Sequence, residues 1–112
     1  TTSKRTISKK EEPPISAFPL HPDSSFWVRE TILTNLAHAC RKLKEYKNAI
    51  SYLEQCVNLN SSNAQTYFSL AFIYHLSGQL NKAISFYHKS LKFKHDNQYA
   101  IEMLQKALTD AS

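Results

Sequence analysis

Most of the chain is a copy of itself displaced by 34 positions. Leu36-Ala37 returns as Leu70-Ala71, Cys40 as Tyr74, Tyr46 as Leu80, Ala49-Ile50 as Ala83-Ile84 and Leu53 as Tyr87. Leu104 falls another 34 beyond Leu70, with Ile101 matching Tyr67 and Leu108 matching Tyr74. A period of this size is one supersecondary unit, which cannot bury its apolar face alone and must stack on its own copies. The unit is helical. All four prolines (Pro13, Pro14, Pro19, Pro22) precede it and Gly78 is the only glycine, so the body lacks the punctuation of hairpins and sandwiches.

A 34-residue helix-turn-helix period resembles the tetratricopeptide repeat. The resemblance implies an all-α fold of helical hairpins wound into a right-handed superhelix, here about two repeats plus a capping helix. The pattern predicts helices over 25–42, 46–59, 63–77, 80–93 and 96–110, with Asp23-Ser24-Ser25 offering N-cap oxygens before Phe26. Repeats then occupy about 30–63 and 64–97 within a domain over 23–112, and a final helix over 98–111 covers the second repeat. Ala37, Ala71, Ala49 and Ala83 are small where paired helices must approach closely. Leu33, Leu36, Tyr67, Leu70 and Tyr74 form the stripe expected to bury against the partner helix. Gly78 sits where the chain leaves a helix through a left-handed residue, a place held in the first repeat by Lys44. Asn60-Ser61-Ser62-Asn63 supplies turn and capping chemistry where such repeats usually turn on proline. Residues 1–22 read as a flexible basic arm whose Ile15, Phe18 and Leu20 are candidates to dock on the body. A start at Thr1 and an uncapped first repeat read as a piece of a longer superhelix.

Composition removes several functions. No apolar run approaches the ~18 residues of a membrane span, and no signal-peptide pattern precedes the body. There is no phosphate loop, nucleophile elbow or His-Glu-x-x-His, so no enzyme, cofactor or small-molecule substrate is expected. Cys40 and Cys56 fall on small core positions and read as buried thiols in a reducing compartment. His38 and Cys40 point to different helix faces, and His75 and His88 lack a third ligand, so no metal site is expected. The net charge of +5 includes a run at Arg41, Lys42, Lys44 and Lys47, which reads as a solvated helix end with some attraction for acidic partners. Lys89, Lys92, Phe93 and Lys94 are a faint imitation of a single-strand binding surface; amphipathicity explains Phe93 as core and the lysines as its flank, so no nucleic-acid partner is expected.

The candidate site is a groove for a peptide-like partner. In a stack of such hairpins the first helix of each lines the concave side, and the residues facing away from the second helix are Thr34, His38 and Arg41, then Gln65, Phe68, Phe72 and His75, then Tyr99, Glu102 and Lys106. Phe68 and Phe72, four apart and off the packing stripe, are surplus to the hairpin, Phe68 the more clearly so. Thr34 and His38 stand where repeats that clamp a peptide's terminal carboxylate carry Lys and Asn, which disfavours a co-chaperone clamp. A co-chaperone or trafficking adaptor of the same fold and a substrate-presenting arm of a larger enzyme remain rival readings.

The run from Asn35 to Tyr46, above all His38-x-Cys40-Arg41-Lys42-Leu43, resembles the helix junction of the tetratricopeptide subunits of the anaphase-promoting complex. Asn63-Ala64-Gln65-Thr66-Tyr67 and Ala83-Ile84-Ser85-Phe86-Tyr87-His88 continue the likeness, which spans about 33–104; Ala37 stands where that family usually has glycine. The resemblance implies a non-catalytic scaffold in a multi-subunit ubiquitin ligase of mitotic exit, found in nucleus and cytoplasm. Its partners would be other subunits, one of them threading an extended segment through the groove past Thr34, His38, Arg41, Phe68, Phe72, His75 and Tyr99.

Overall fold

A computed structural model describes residues 22–112, with side chains from Ser25 onward; the arm and its Ile15, Phe18 and Leu20 lie outside the described residues. The described residues form five helices and no strand: α1 (Pro22–Lys42), α2 (Tyr46–Leu59), α3 (Ala64–Leu76), α4 (Leu80–Phe93) and α5 (Gln98–Ala111). Each packs on its neighbour in sequence, so α1–α2 and α3–α4 are antiparallel hairpins and α5 covers the second.

The 34-residue period is visible in single hydrogen bonds. The α1–α2 and α3–α4 turns are the same Schellman motif. In the first, the Glu45 amide donates to the Cys40 carbonyl (2.8 Å) and the Lys44 amide to Arg41 (2.9 Å). In the second, Gln79 donates to Tyr74 (2.9 Å) and Gly78 to His75 (3.2 Å). The pivots Lys44 and Gly78 have φ of 63° and 83°, the left-handed conformation the sequence assigns to both. Asn63 and Asn97, also 34 apart, cap α3 and α5: the Asn63 side chain accepts from the Gln65 amide, and Asn97 accepts from those of Tyr99 and Ala100. The equivalent position in the first repeat is Arg29, which cannot cap. Without that stop α1 extends back to Pro22, so Asp23–Ser25 lie inside the helix and not before it, a correction to the predicted start at 25. Proline is tolerated there because the first turn has no carbonyl to bond.

Alanine marks the helix crossings. Ala37, Ala49, Ala71, Ala83, Ala100 and Ala107 are all buried, with Leu53, Leu70, Ile73, Tyr87 and Leu104 filling the space between them. Each hairpin is also pinned once from its second helix: Ser90 Oγ donates to the Ala64 carbonyl at 2.9 Å, and Cys56 Sγ, its equivalent, to the Glu30 carbonyl at 3.8 Å. Burial pushes the Cys56 thiol up, which keeps it a protonated donor. Two expected core residues are corrected. Leu36 is 41% exposed although its equivalent Leu70 is 1%, because α2 covers Leu70 and no described element covers Leu36. Phe93 stacks on Tyr67 (5.6 Å) yet remains 41% exposed at the end of α4.

Candidate functional site

A trough runs between α1 and α3. It consists of two adjoining hollows of about 370 and 170 Å3 that share Leu53, Gln65 and Ser69. Leu53 belongs to α2 and shows through between the two first helices as an apolar floor. Gln65 and Ser69, a turn apart on α3, give that floor an amide and a hydroxyl. The larger hollow is walled by Thr34 and rimmed by Trp27, the smaller by His38, Arg41, Phe68 and Phe72.

The trough is open for a reason legible in the register. Thr34 and Gln65 face it from α1 and α3; their equivalents one repeat on are Phe68 and Tyr99, whose rings meet at 5.4 Å and close the corresponding space between α3 and α5. A threonine and a glutamine leave unfilled what two aromatic rings fill.

Its two ends differ in charge. At one end Glu30 accepts a hydrogen bond from the Asn63 amide group at 2.8 Å. At the other the Arg41 guanidinium lies 5.7 Å above the Phe72 ring, a cation–π contact that fixes its direction. His38 beside it has its pKa lowered by burial, and further by Arg41 and Lys42, so its imidazole is neutral at pH 7 and offers one donor and one acceptor. Thr34 Oγ1 lies 3.6 Å from Cys56 Sγ, a contact that ties the trough wall to the core.

Five of the seven expected groove residues therefore converge: Thr34, His38, Arg41, Phe68 and Phe72. Phe68 does so only by its edge. It is 9% exposed, held between Tyr87 (5.7 Å) and Tyr99, so the expectation that it is surplus to packing is corrected, and Phe72, half-buried and stacked on it at 6.5 Å, is the ring the trough presents. His75 and Tyr99 lie on the α3–α5 side. The His75 Nδ1 is 3.2 Å from the Tyr87 hydroxyl and its Nε2 is 2.8 Å from Asp110, so this ring fastens α5 down and is not open to a ligand in the trough. Ser69 and the floor of Leu53 went unnoticed in the sequence, because nothing local says that a residue of the second helix will surface between two first helices. Among the described residues no three His, Cys, Asp or Glu side chains gather in a way that could hold a metal, and no helix is long and apolar enough to cross a membrane.

Helical hairpins stacked at a 34-residue period define a helical-repeat protein. The tetratricopeptide repeat family matches residues 28–94, and the chain belongs to it. Within the family it is similar to subunits of the anaphase-promoting complex. It is 37% identical over 75 residues to the human cell division cycle protein 16 homolog and 48% over 81 residues to Arabidopsis thaliana anaphase-promoting complex subunit 6. Those matches take in 67% and 72% of this chain but 12% and 15% of the relatives, so the chain spans a small part of their length. The crystal structure of the APC/C hetero-tetramer Cut9–Hcn1 overlays on 70% of this chain and 15% of that one, with a TM-score of 0.69 and 33% identity. The first tetratricopeptide domain of Spaghetti (RPAP3), solved with an HSP90 peptide, shares the fold over 80% of each chain, with a TM-score of 0.70 and 24% identity.

Proposed function

We propose that this chain is a non-catalytic scaffold segment of an anaphase-promoting complex and holds an extended segment of a partner subunit in the α1–α3 trough. The observation that carries the reading is the trough itself. A channel with an apolar floor and two polar groups is left open at one inter-repeat junction, while the equivalent residues of the next repeat close the other. An extended strand laid there finds the Gln65 amide and Ser69 hydroxyl for its backbone, the small apolar hollow beside Phe72 for one side chain, and Arg41 for a carboxylate. The likeness to subunit 6 and cell division cycle protein 16 over these same helices supports this choice of assembly, in which the chain would work in nucleus and cytoplasm alongside other subunits of a ubiquitin ligase.

The test is affinity purification of the tagged protein, wild type against Thr34→Phe with Gln65→Tyr, which copies the closed junction into the open one, and against Phe72→Ala. Wild type is expected to recover anaphase-promoting-complex subunits. Both variants should lose the one seated in the trough while keeping the helical circular-dichroism signal. Recovery of no ubiquitin-ligase subunit by wild type, or of a chaperone in their place, would overturn the assembly. Undiminished recovery by both variants would overturn the trough.

A further inference from the structure

The first hairpin has a vacancy on each face, and the two are lined differently. On the face away from the trough, a notch of about 490 Å3 has an aliphatic base of Ile32, Leu33 and Leu59. In the larger hollow of the trough, about 370 Å3, Leu53 and Trp27 are the only apolar lining residues among the described ones, and Glu30 is the one charged group. Its carboxylate is held in place: Oε2 accepts from the Asn63 side-chain amide at 2.8 Å, and among the described residues Oε1 has no hydrogen-bond partner. Trp27, the chain's single tryptophan, stands one turn earlier on the same side of α1 and is 72% exposed. The 34-residue register asks for neither residue: their equivalents are Ser61 and Ala64 one repeat on, then His95 and Gln98. A fixed carboxylate beside an open indole is a site for a cation. The indole face is the strongest aromatic partner of an ammonium or guanidinium group, and the carboxylate is its charged hydrogen-bond acceptor.

We propose that the larger hollow takes a basic side chain, and that the segment held in the trough is charge-polarised: a lysine or arginine seated between Trp27 and Glu30, and an aspartate or glutamate near Arg41. This specificity rests on the trough reading above and adds the chemistry of the occupant. Glu30 and Arg41 are eleven residues apart. That is about three turns with ~20° left over, so both lie along the same side of α1, ~16 Å from one another. An extended chain covers the distance in about five residues at ~3.3 Å each. Between its two charges the segment passes Gln65, Ser69 and the floor of Leu53, and the small hollow beside Phe72 adjoins its acidic end. A uniformly acidic segment, which the net charge of +5 would attract, meets Glu30 and is disfavoured; a uniformly basic one meets Arg41.

The experiment pans a phage-displayed library of random linear peptides against the immobilised full chain. Enriched peptides are expected to carry Lys or Arg with Asp or Glu roughly four to six positions away. They should be lost when Thr34→Phe with Gln65→Tyr closes the trough. A synthetic peptide of the enriched sequence should bind wild type roughly tenfold more tightly than Glu30→Gln or Trp27→Ala. Glu30→Gln keeps an acceptor for Asn63, so it should remove the charge and leave the fold intact. Replacing the peptide's basic residue by glutamine should cost wild type the same factor and cost Glu30→Gln little more, the mark of a direct pair. An empty selection, or peptides that the closed trough still binds, would overturn the trough and this specificity with it. Peptides that closure abolishes but that lack the basic residue, or that bind Glu30→Gln as well as wild type, would overturn the specificity and leave the trough standing.

Discussion

Placed 34 positions apart, the two hairpins share their turns, their alanine crossings and their interhelical pin, and they differ in aromatic content. Thr34, Leu33, Cys40 and Leu59 of the first repeat correspond to Phe68, Tyr67, Tyr74 and Phe93 of the second. The backbone cares little about the exchange, because helix crossings are set by the alanines beneath. The surfaces care a great deal. The second hairpin fills both its faces with stacked rings and is closed over by α5, while among the described residues the first is hollow on both faces and uncovered on the side away from α3. The second repeat holds most of the buried core and the first holds the vacancies, a division that suits a binding surface, since unfilled space is what a partner can use.

The sharpest test of that division is the pair Leu36 and Leu70. Leu70→Ala is expected to cost about 3 kcal/mol, and Leu36→Ala under about 1 kcal/mol, in denaturant unfolding. Equal costs would mean that the first repeat is covered in solution and the contrast is false. When a partner or a neighbouring repeat covers α1, the Leu36→Ala penalty should grow, so the same pair measured in the assembly tells what the bare face is for.

The turns test the shared part. Lys44 holds the left-handed conformation at a steric cost that Gly78 does not incur, so Lys44→Gly should raise stability by about 1 kcal/mol. Gly78→Ala should lower it by a similar amount. A Cβ at Gly78 would meet nothing within 4 Å, so that loss is backbone strain alone. A neutral Lys44→Gly would mean that the two turns are not the same motif in solution. The pins come next: Ser90→Cys reproduces the longer sulfur contact of Cys56 and should cost about 0.5 kcal/mol, read from the unfolding midpoint.

The fold was legible because every element obeys the 34-residue register, and a register is a property of sequence alone. Gly78 and Lys44 could be assigned one conformation for the same reason. What escaped depended on which helix lies across the gap. Phe68 and Phe72 occupy the same face of α3, and only the position of Tyr99 on α5 decides that the first is packed and the second presented. Leu36 reads as core because Leu70 is core; the difference is that no described element lies over Leu36, which no residue of α1 records. The start of α1 was misjudged because plausible caps at Asp23–Ser25 are visible, whereas the deciding fact is the missing asparagine at Arg29. His75 reads as a groove residue until Asp110, 35 positions away, takes its ring.

That ring gives the smallest of the expected effects and the one most specific to the second repeat. An imidazole with its proton on Nε2 donates to the Asp110 carboxylate and accepts the Tyr87 hydroxyl on Nδ1, which joins α3, α4 and α5 through three side chains. The hydrogen bond from His75 holds the Asp110 carboxyl below its ordinary value of 3.8. A lowered carboxyl pKa means that the folded state binds the proton less readily than the unfolded one. Its stabilising contribution is present above that ordinary value and lost as pH falls through the lowered one. His38 in the first repeat is also held low, but as a base: its cost begins as pH drops below its ordinary 6.5, where the unfolded chain takes up a proton that the folded chain resists. Acidification should therefore loosen α1 before α5, and amide exchange against pH separates the two. Asp110→Asn keeps an acceptor but loses the charge, so exchange in α5 should quicken at pH 7 with α1 and α2 unmoved. If α5 exchanges at the wild-type rate, its closure rests on Phe68 and Tyr99 alone, and the aromatic difference between the repeats is sufficient by itself.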